Sequence, residues 1–289
     1  MGCGAEKPVQ KNLENGFRSL NFEIMDPRLR EISLKLLARA NPPPILHRYR
    51  KPNERALKEI INHQIFATSP DGLNDPFEYF APISWNPDSL KKYFMEGYAP
   101  EMGLSAAEAA KQYDTFPLDT LSQKLNAGFT ETRQNSGIIC LTAVPNSIRM
   151  WSYYAQAHEG ICVGFDTKTR PFMAAMKVVY QNPDAPVDFA SFLLLDDPSE
   201  LAAHISLRKA TEWEFEQEYR IPIDLTGNHP RLLPFDPSAI TEIRFGACIK
   251  DDFRHGLMKA ISHLPRRPKL IEMRCDFDRF VLTEEIISL

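Results

Sequence analysis

The hydrophobic and polar positions of the chain fall into short alternating runs separated by stretches of helical period. Residues 45–50 read as a strand, with His47 and Tyr49 on one face and Arg48 and Arg50 on the other. Asn53 caps a helix whose stripe is Ala56, Leu57, Ile60 and Ile61. Residues 65–68 form a second short strand, leading into the turn-rich stretch 69–76. Residues 138–142, 161–165, 177–180 and 240–245 read as further strands. Residues 147–158 predict a helix stopped by Gly160. The longest alternation spans residues 215–225: Phe215, Tyr219, Ile221, Ile223 and Leu225 share one face, and Glu216, Glu218 and Arg220 the other. A helix over 251–264 ends at Pro265, and a hairpin over 270–275 and 280–283 closes the chain.

Residues 87–136 and 187–211 carry mostly helical patterns and read as insertions. Asp26-Pro27 opens a helix over 27–40, and the prolines 42–44 end it. The domain organisation is therefore a leader and helix over 1–43, then one α+β domain over 44–289. There is no regular strand–helix–strand alternation with Gly-rich turns. A mixed or antiparallel sheet core with helical insertions follows, not a doubly wound sheet.

Composition narrows the function classes. The 289 residues carry a net charge of −4, which argues against a protein built to neutralise phosphate. Five cysteines without a paired spacing indicate neither a disulfide framework nor a zinc knuckle, and no metal is indicated. Cys140, Cys162 and Cys248 read as buried free thiols, and a reducing, cytoplasmic setting fits them. No apolar run reaches the roughly 18 residues of a membrane span. Gly2 and Cys3 offer a lipid-anchoring start, without the usual Ser or Thr at position 6; host-membrane association is the alternative location. Phosphate-binding glycine loops, metalloprotease helices and nucleophile elbows are absent.

Four segments remain that can carry chemistry. His47 and Arg48 stand on the first strand. Asn74-Asp75-Pro76-Phe77-Glu78 is a turn with two acids and an amide, which Arg48 or Arg50 could pin. Trp151, Tyr154 and His158 fall on one helical face and suit stacking on a planar ligand, whereas Tyr153 points elsewhere. Glu216 and Glu218, with Arg220, are closely spaced charges of a kind suited to acid–base or cation-stabilising work.

Together these blocks resemble the bacterial family of domain of unknown function 2971, which has links to abortive infection. The pattern is carried by His47 to Arg50, Asn74 to Glu78, Trp151 to Asp166 and Trp213 to Arg220. A looser resemblance is to ADP-ribosyltransferase-like domains. These order a His or Arg on an early strand, a strand–helix with an aromatic, and a Glu on a late strand. His47, residues 137–142 with Tyr154, and Glu218 follow that order. Only Thr68-Ser69 stands in for the usual Ser-Thr-Ser triplet.

This second resemblance implies NAD as substrate and an unknown macromolecular acceptor, protein or nucleic acid, in a phage-defence toxin or effector. His47, Tyr154 and Glu218 would be catalytic. Arg48, Ser69, Trp151, His158 and Glu216 would contact NAD, while Asn74, Asp75, Glu78 and Arg220 would hold the site in shape. Two other readings stand beside it. One is a metal-dependent hydrolase or nuclease using Asp75, Glu78, Glu216 and Glu218. The other is a non-catalytic sensor or interaction domain.

Overall fold

The structure, a computed structural model, describes residues 40–79, 83–84, 86–115, 130–182, 187–190, 198–225 and 229–288, with 35, 123 and 127 besides. The Gly2/Cys3 start, the expected helix over 27–40 apart from residues 35 and 40, and part of the helical pattern expected over 87–136 lie outside the described residues. The fold class is α+β, as the patterning predicts. Contacts divide the chain into two compact units. One comprises Met1–Arg39, Leu73–Asn135 and Gln181–Ala210; the other comprises Ala40–Gly72, Ser136–Tyr180 and Thr211–Leu289.

The second unit is built on an eight-stranded mixed sheet. Its strands are β1 (Ile45–Arg50), β2 (Ser136–Thr142), β3 (Ile161–Asp166), β4 (Met176–Lys177), β5 (Glu218–Asp224), β6 (Ile240–Phe245), β7 (Lys269–Asp276) and β8 (Val281–Ile287). The order across the sheet is β8-β7-β6-β3-β1-β2-β5-β4. Only β6 and β7 run parallel; the other neighbours are antiparallel.

Strand β1 is central, so its four middle residues are buried on both faces, Arg48 included. The alternation of β1 therefore separates two buried faces, not an inside from an outside. Helices α1 (Glu54–Asn62) and α3 (Asp251–Ser262) cover one face. Arg50 of β1 pairs with Glu59 of α1 there, and the Arg254 guanidinium of α3 lies 5.1 Å from the Phe245 ring centroid. On the opposite face, helix α2 (Ile148–Tyr154) seats Trp151 edge-on against Tyr49, ring centroids 5.1 Å apart, with Met150, Ala155, Cys162, Ile271 and Met273 around them.

Three expectations on this unit are corrected. The strand expected over 215–225 is confined to Glu218–Asp224. Residues Thr211–Glu216 form a 3₁₀ turn, and Gln217 takes a positive φ of 43°, which breaks the alternation. Glu216 thus leaves the strand face of Glu218 and Arg220. The helix expected to reach His158 ends at Tyr154. Gln156, Ala157 and His158 then adopt left-handed φ values of 49°, 51° and 69°, a conformation that costs non-glycine residues energy and needs support from its surroundings. That support is at hand: the His158 carbonyl accepts the Cys248 N–H at 3.0 Å, and Gly160 N–H reaches the Ala155 carbonyl at 2.8 Å. Cys248, expected in a buried strand run, is exposed in the loop after β6.

The other unit contains helices Pro87–Tyr93, Ala106–Asp114 and Pro198–Leu207 and a π-turn at Phe94–Tyr98. Ser105 and Glu108 form a capping box at the start of Ala106–Asp114. Phe94, Ala99 and Ala109 form a small core. The insertion regions therefore hold helices, with a short parallel pair, Ile83–Ser84 with Val187–Asp188, between them. Among the described residues no helix is long and apolar enough to cross a membrane.

Candidate functional site

The register of the central strands aligns one residue from each of five neighbours. Glu242 of β6 stands opposite Gly164 of β3, which stands opposite His47 of β1. His47 stands opposite Thr142 of β2, which stands opposite Glu218 of β5. Directly opposed residues of antiparallel strands project to the same face. The row Glu242–Gly164–His47–Thr142–Glu218 is thus a polar stripe across one side of the sheet. All four of its side-chain-bearing members are buried. Strand β1 meets β2 at His47–Thr142 alone, while β2 pairs with β5 along its full length. Further along β2, Ile138 bridges to Thr68. His47 therefore sits where two halves of the sheet touch.

Each end of the row carries a Glu-x-Arg strand. In β5, Arg220 donates from Nε to Glu218 Oε1 at 3.0 Å and from Nη2 to Oε2 at 2.9 Å. Arg220 is 0% exposed. A bidentate guanidinium fixes the plane of the carboxylate as well as its charge. In β6, Arg244 Nε donates to Glu242 Oε1 at 2.9 Å, and Arg244 pairs with Glu284 of β8. Glu242 Oε1 also meets His47 Nε2 at 2.7 Å. Burial raises the Glu242 carboxyl, yet the His47 hydrogen bond and the Arg244 charge together bring it down to about 2.

Gly164 makes the His47–Glu242 contact possible. A Cβ there would lie 2.6 Å from Glu242 Cγ and 3.2 Å from His47 Cδ2. Both neighbours are buried and held by partners, so neither can step aside cheaply. Gly164→Ala is expected to cost about 1–3 kcal/mol, the usual range for overpacking a core. Urea denaturation of the two proteins measures it, and equal midpoints would show that the row yields without cost.

Glu242 also predicts a pH dependence. Its folded value of about 2 lies below the ordinary 4.5. A depressed carboxyl contributes stability that is present above the ordinary value and is lost as pH falls from 4.5 toward 2. The loss should be roughly 3 kcal/mol by linkage. Denaturation at neutral pH and near the acid end of that window should show it, and Glu242→Gln should flatten it.

Around Glu218 the chain turns tightly. Thr142 Oγ1 donates to the Glu216 carbonyl and accepts the Val144 N–H. Tyr154, the last residue of α2, donates its hydroxyl to Glu216 Oε1 at 2.5 Å. The Glu218 N–H donates to the Tyr180 hydroxyl at 2.7 Å. Tyr180 and Gln217 line an open groove of about 890 Å³, with Arg149, Lys177 and Phe215. The Arg149 guanidinium lies 4.3 Å from the Phe215 ring centroid. Tyr153, 60% exposed, packs against the same ring at 6.2 Å. Two cations and several aromatic faces thus border the backbone that carries Glu218.

The residues singled out by sequence divide accordingly. His47 and Glu218 lie in one row, and Tyr154 reaches the turn beside it. Trp151 is 0% exposed and donates Nε1–H to the Pro145 carbonyl, so its ring serves the core and cannot stack on a ligand. His158 does stack on Trp151, rings 14° from parallel, through the left-handed turn and not through helical spacing. Burial lowers the His158 imidazole. Arg48 projects to the opposite face from His47, where Nη2 donates to the Phe66 carbonyl; burial first, then Arg50, lower it to about 9. Ser69 follows the Thr68 bridge, and its carbonyl accepts the Gly72 N–H in a short turn.

The Asn74–Glu78 turn belongs to the other unit. Asp75 Oδ1 accepts the Phe77 N–H at 2.9 Å, as an Asx turn requires. Glu78 pairs with Lys209 at 3.0 Å, both side chains fully buried. Lys209 is thus a basic partner of this turn within its own unit, while Arg48 bonds to the Phe66 carbonyl and Arg50 to Glu59. Among the described residues, no three His, Cys, Asp or Glu side chains are grouped as a metal site.

Residues 150–221 match the family described as "Protein of unknown function (DUF2971)". The resemblance read from the Trp151–Asp166 and Trp213–Arg220 blocks is borne out over that stretch. The matched residues run from α2 to Ile221 in β5 and include Tyr154, Gly164, Glu216, Glu218 and Arg220. His47 and Glu242 flank the match. Neither the curated proteins nor the solved structures offer a match to the chain. Glu242, Arg244 and Gly164 were not among the residues that patterning selected. The only local signal for the first two was the repeat of Glu-x-Arg, Glu218-Tyr219-Arg220 and Glu242-Ile243-Arg244.

Proposed function

We propose that this chain acts on NAD as an ADP-ribosyltransferase-type enzyme, in the role of a phage-defence effector. The observation that carries the reading is the in-register row His47–Thr142–Glu218 over three adjacent strands. Two strand spacings of about 4.8 Å put the His47 and Glu218 backbones roughly 10 Å apart, a span that a dinucleotide can bridge. An early-strand His and a late-strand Glu that are 171 positions apart in sequence thus share one face.

The chemistry is cleavage of the bond between nicotinamide and ribose. Nicotinamide leaves with the bonding pair as a neutral ring, and positive charge develops on the ribose ring as an oxocarbenium-like state. The Glu218 carboxylate stabilises that charge. Arg220 fixes the carboxylate in plane with two hydrogen bonds, and preorganised charge of this kind is often the largest catalytic contribution. The acceptor, water or a macromolecular nucleophile, then bonds to the ribose carbon and releases a proton. His47 holds a ribose hydroxyl. Phe215 and Tyr153, beside the groove, supply the aromatic faces that buried Trp151 does not.

Incubation of the purified chain with NAD labelled in the nicotinamide ring tests the reading. Release of free nicotinamide supports it. Intact NAD after prolonged incubation, alone and with cell extract as acceptor source, removes it.

A further inference from the structure

His47 presents two ring nitrogens with very different surroundings. Nε2 lies 2.7 Å from Glu242 Oε1, and the His47 side chain is only 8% exposed. Nδ1 is buried and has no hydrogen-bond partner among the described residues. A buried polar atom left unpaired costs about 1–3 kcal/mol. Such an atom invites a specific explanation, and a ligand that completes the pairing is one.

Glu242 decides which nitrogen carries the proton. A carboxylate accepts only, so the nitrogen facing it must donate. Arg244 shares the same oxygen of Glu242 and is anchored in turn by Glu284, so the carboxylate cannot swing away. Gly164 keeps the strand between Glu242 and His47 free of any side chain that would separate them. We infer that Glu242 is a positioning residue: it fixes His47 as the Nε2–H tautomer and so makes Nδ1 a hydrogen-bond acceptor for a hydroxyl of the ligand. The nature of that ligand, a ribose of NAD, rests on the function proposed above; the tautomer and its cause do not. The site therefore selects for a donor at this point, and a sugar lacking the hydroxyl would bind less well.

The experiment uses the full chain labelled with ¹⁵N-histidine, with His47→Gln to assign the His47 signals. At about pH 8.5, where an ordinary imidazole is neutral, the wild-type His47 is expected to show a protonated Nε2 and an unprotonated Nδ1. ADP-ribose is the probe, and it should move the Nδ1 signal. Glu242→Ala should abolish the fixed Nε2 proton and weaken ADP-ribose binding about tenfold, the worth of one such hydrogen bond. Glu242→Gln, whose amide oxygen can still accept from Nε2, should restore most of both and guards against a folding defect in the alanine variant. An Nδ1–H tautomer or an imidazolium in the wild type overturns the inference. So does an Nδ1 signal indifferent to ADP-ribose, or unchanged binding in folded Glu242→Ala. If NAD stays intact while ADP-ribose still moves Nδ1, the inference stands and the proposed reaction falls. If NAD is cleaved with unchanged KM in Glu242→Ala, the reaction stands and the inference falls.

Discussion

Arg220→Ala should destabilise this protein by about 3–5 kcal/mol, the range seen when one partner of a buried ion pair is removed. Arg220 is fully buried on β5, one strand in from the edge of the sheet, and Nε and Nη2 reach both oxygens of Glu218. Alanine takes away both donors and leaves a void the size of a guanidinium and its stem. A typical domain has only roughly 5–15 kcal/mol of stability in all, so the variant should sit close to unfolding at growth temperature. Arg220→Lys should be intermediate, because an ammonium cannot make the bidentate pair. Urea denaturation measures both. A midpoint for Arg220→Ala equal to that of the wild type would mean that the pair contributes nothing to the fold.

Glu218→Gln should lower nicotinamide release by about a hundredfold or more, with little change in KM for NAD. Removal of a single preorganised charge at a transition state commonly costs that much. An effect confined to turnover is the sign of an interaction made in the transition state and not in the bound substrate. Glutamine keeps the shape of the side chain and one oxygen for the Arg220 fork, but it leaves the buried Arg220 charge without its counterion, so the variant should also lose stability. Melting curves for the variant separate loss of chemistry from loss of fold.

Much of this arrangement could be read locally, and the rest could not. The strands containing His47, Thr142 and Cys162 were visible because their β-branched and aromatic runs are short and bounded by turn residues. The turn at Gln217 was not. Glu216 sits in an alternation that looks continuous with β5, and only Tyr154, 62 positions away, reveals that its side chain turns aside. Helix α2 was visible, but its last expected turn was not, since nothing local in Gln156-Ala157-His158 announces three left-handed residues in succession. Part of their support is distant: besides local bonds from Ala157 to Ser152 and from His158 to Trp151, the His158 carbonyl accepts from Cys248, far along the chain.

The same reason hid half of the site. Glu242 alternates in β6 like a solvent-facing acid on a half-buried strand. Its importance comes from His47, 195 positions away, and from a glycine on the strand between them. Gly164 belongs to the Cys-x-Gly-Phe-Asp block that carries the family resemblance, but its reason is spatial: it lies between two side chains that must touch. Trp151 shows the converse. Its helical stripe suggested a ligand platform, and its depth in the sheet's apolar cluster makes it core.

The central claim is that the His47–Thr142–Glu218 row cleaves the nicotinamide–ribose bond. The most direct measurement is nicotinamide release from labelled NAD by wild type and Glu218→Gln side by side, each confirmed folded by its melting curve. The account predicts release by the wild type and near-complete loss in the variant. Equal release by both, or none by the folded wild type, would contradict it.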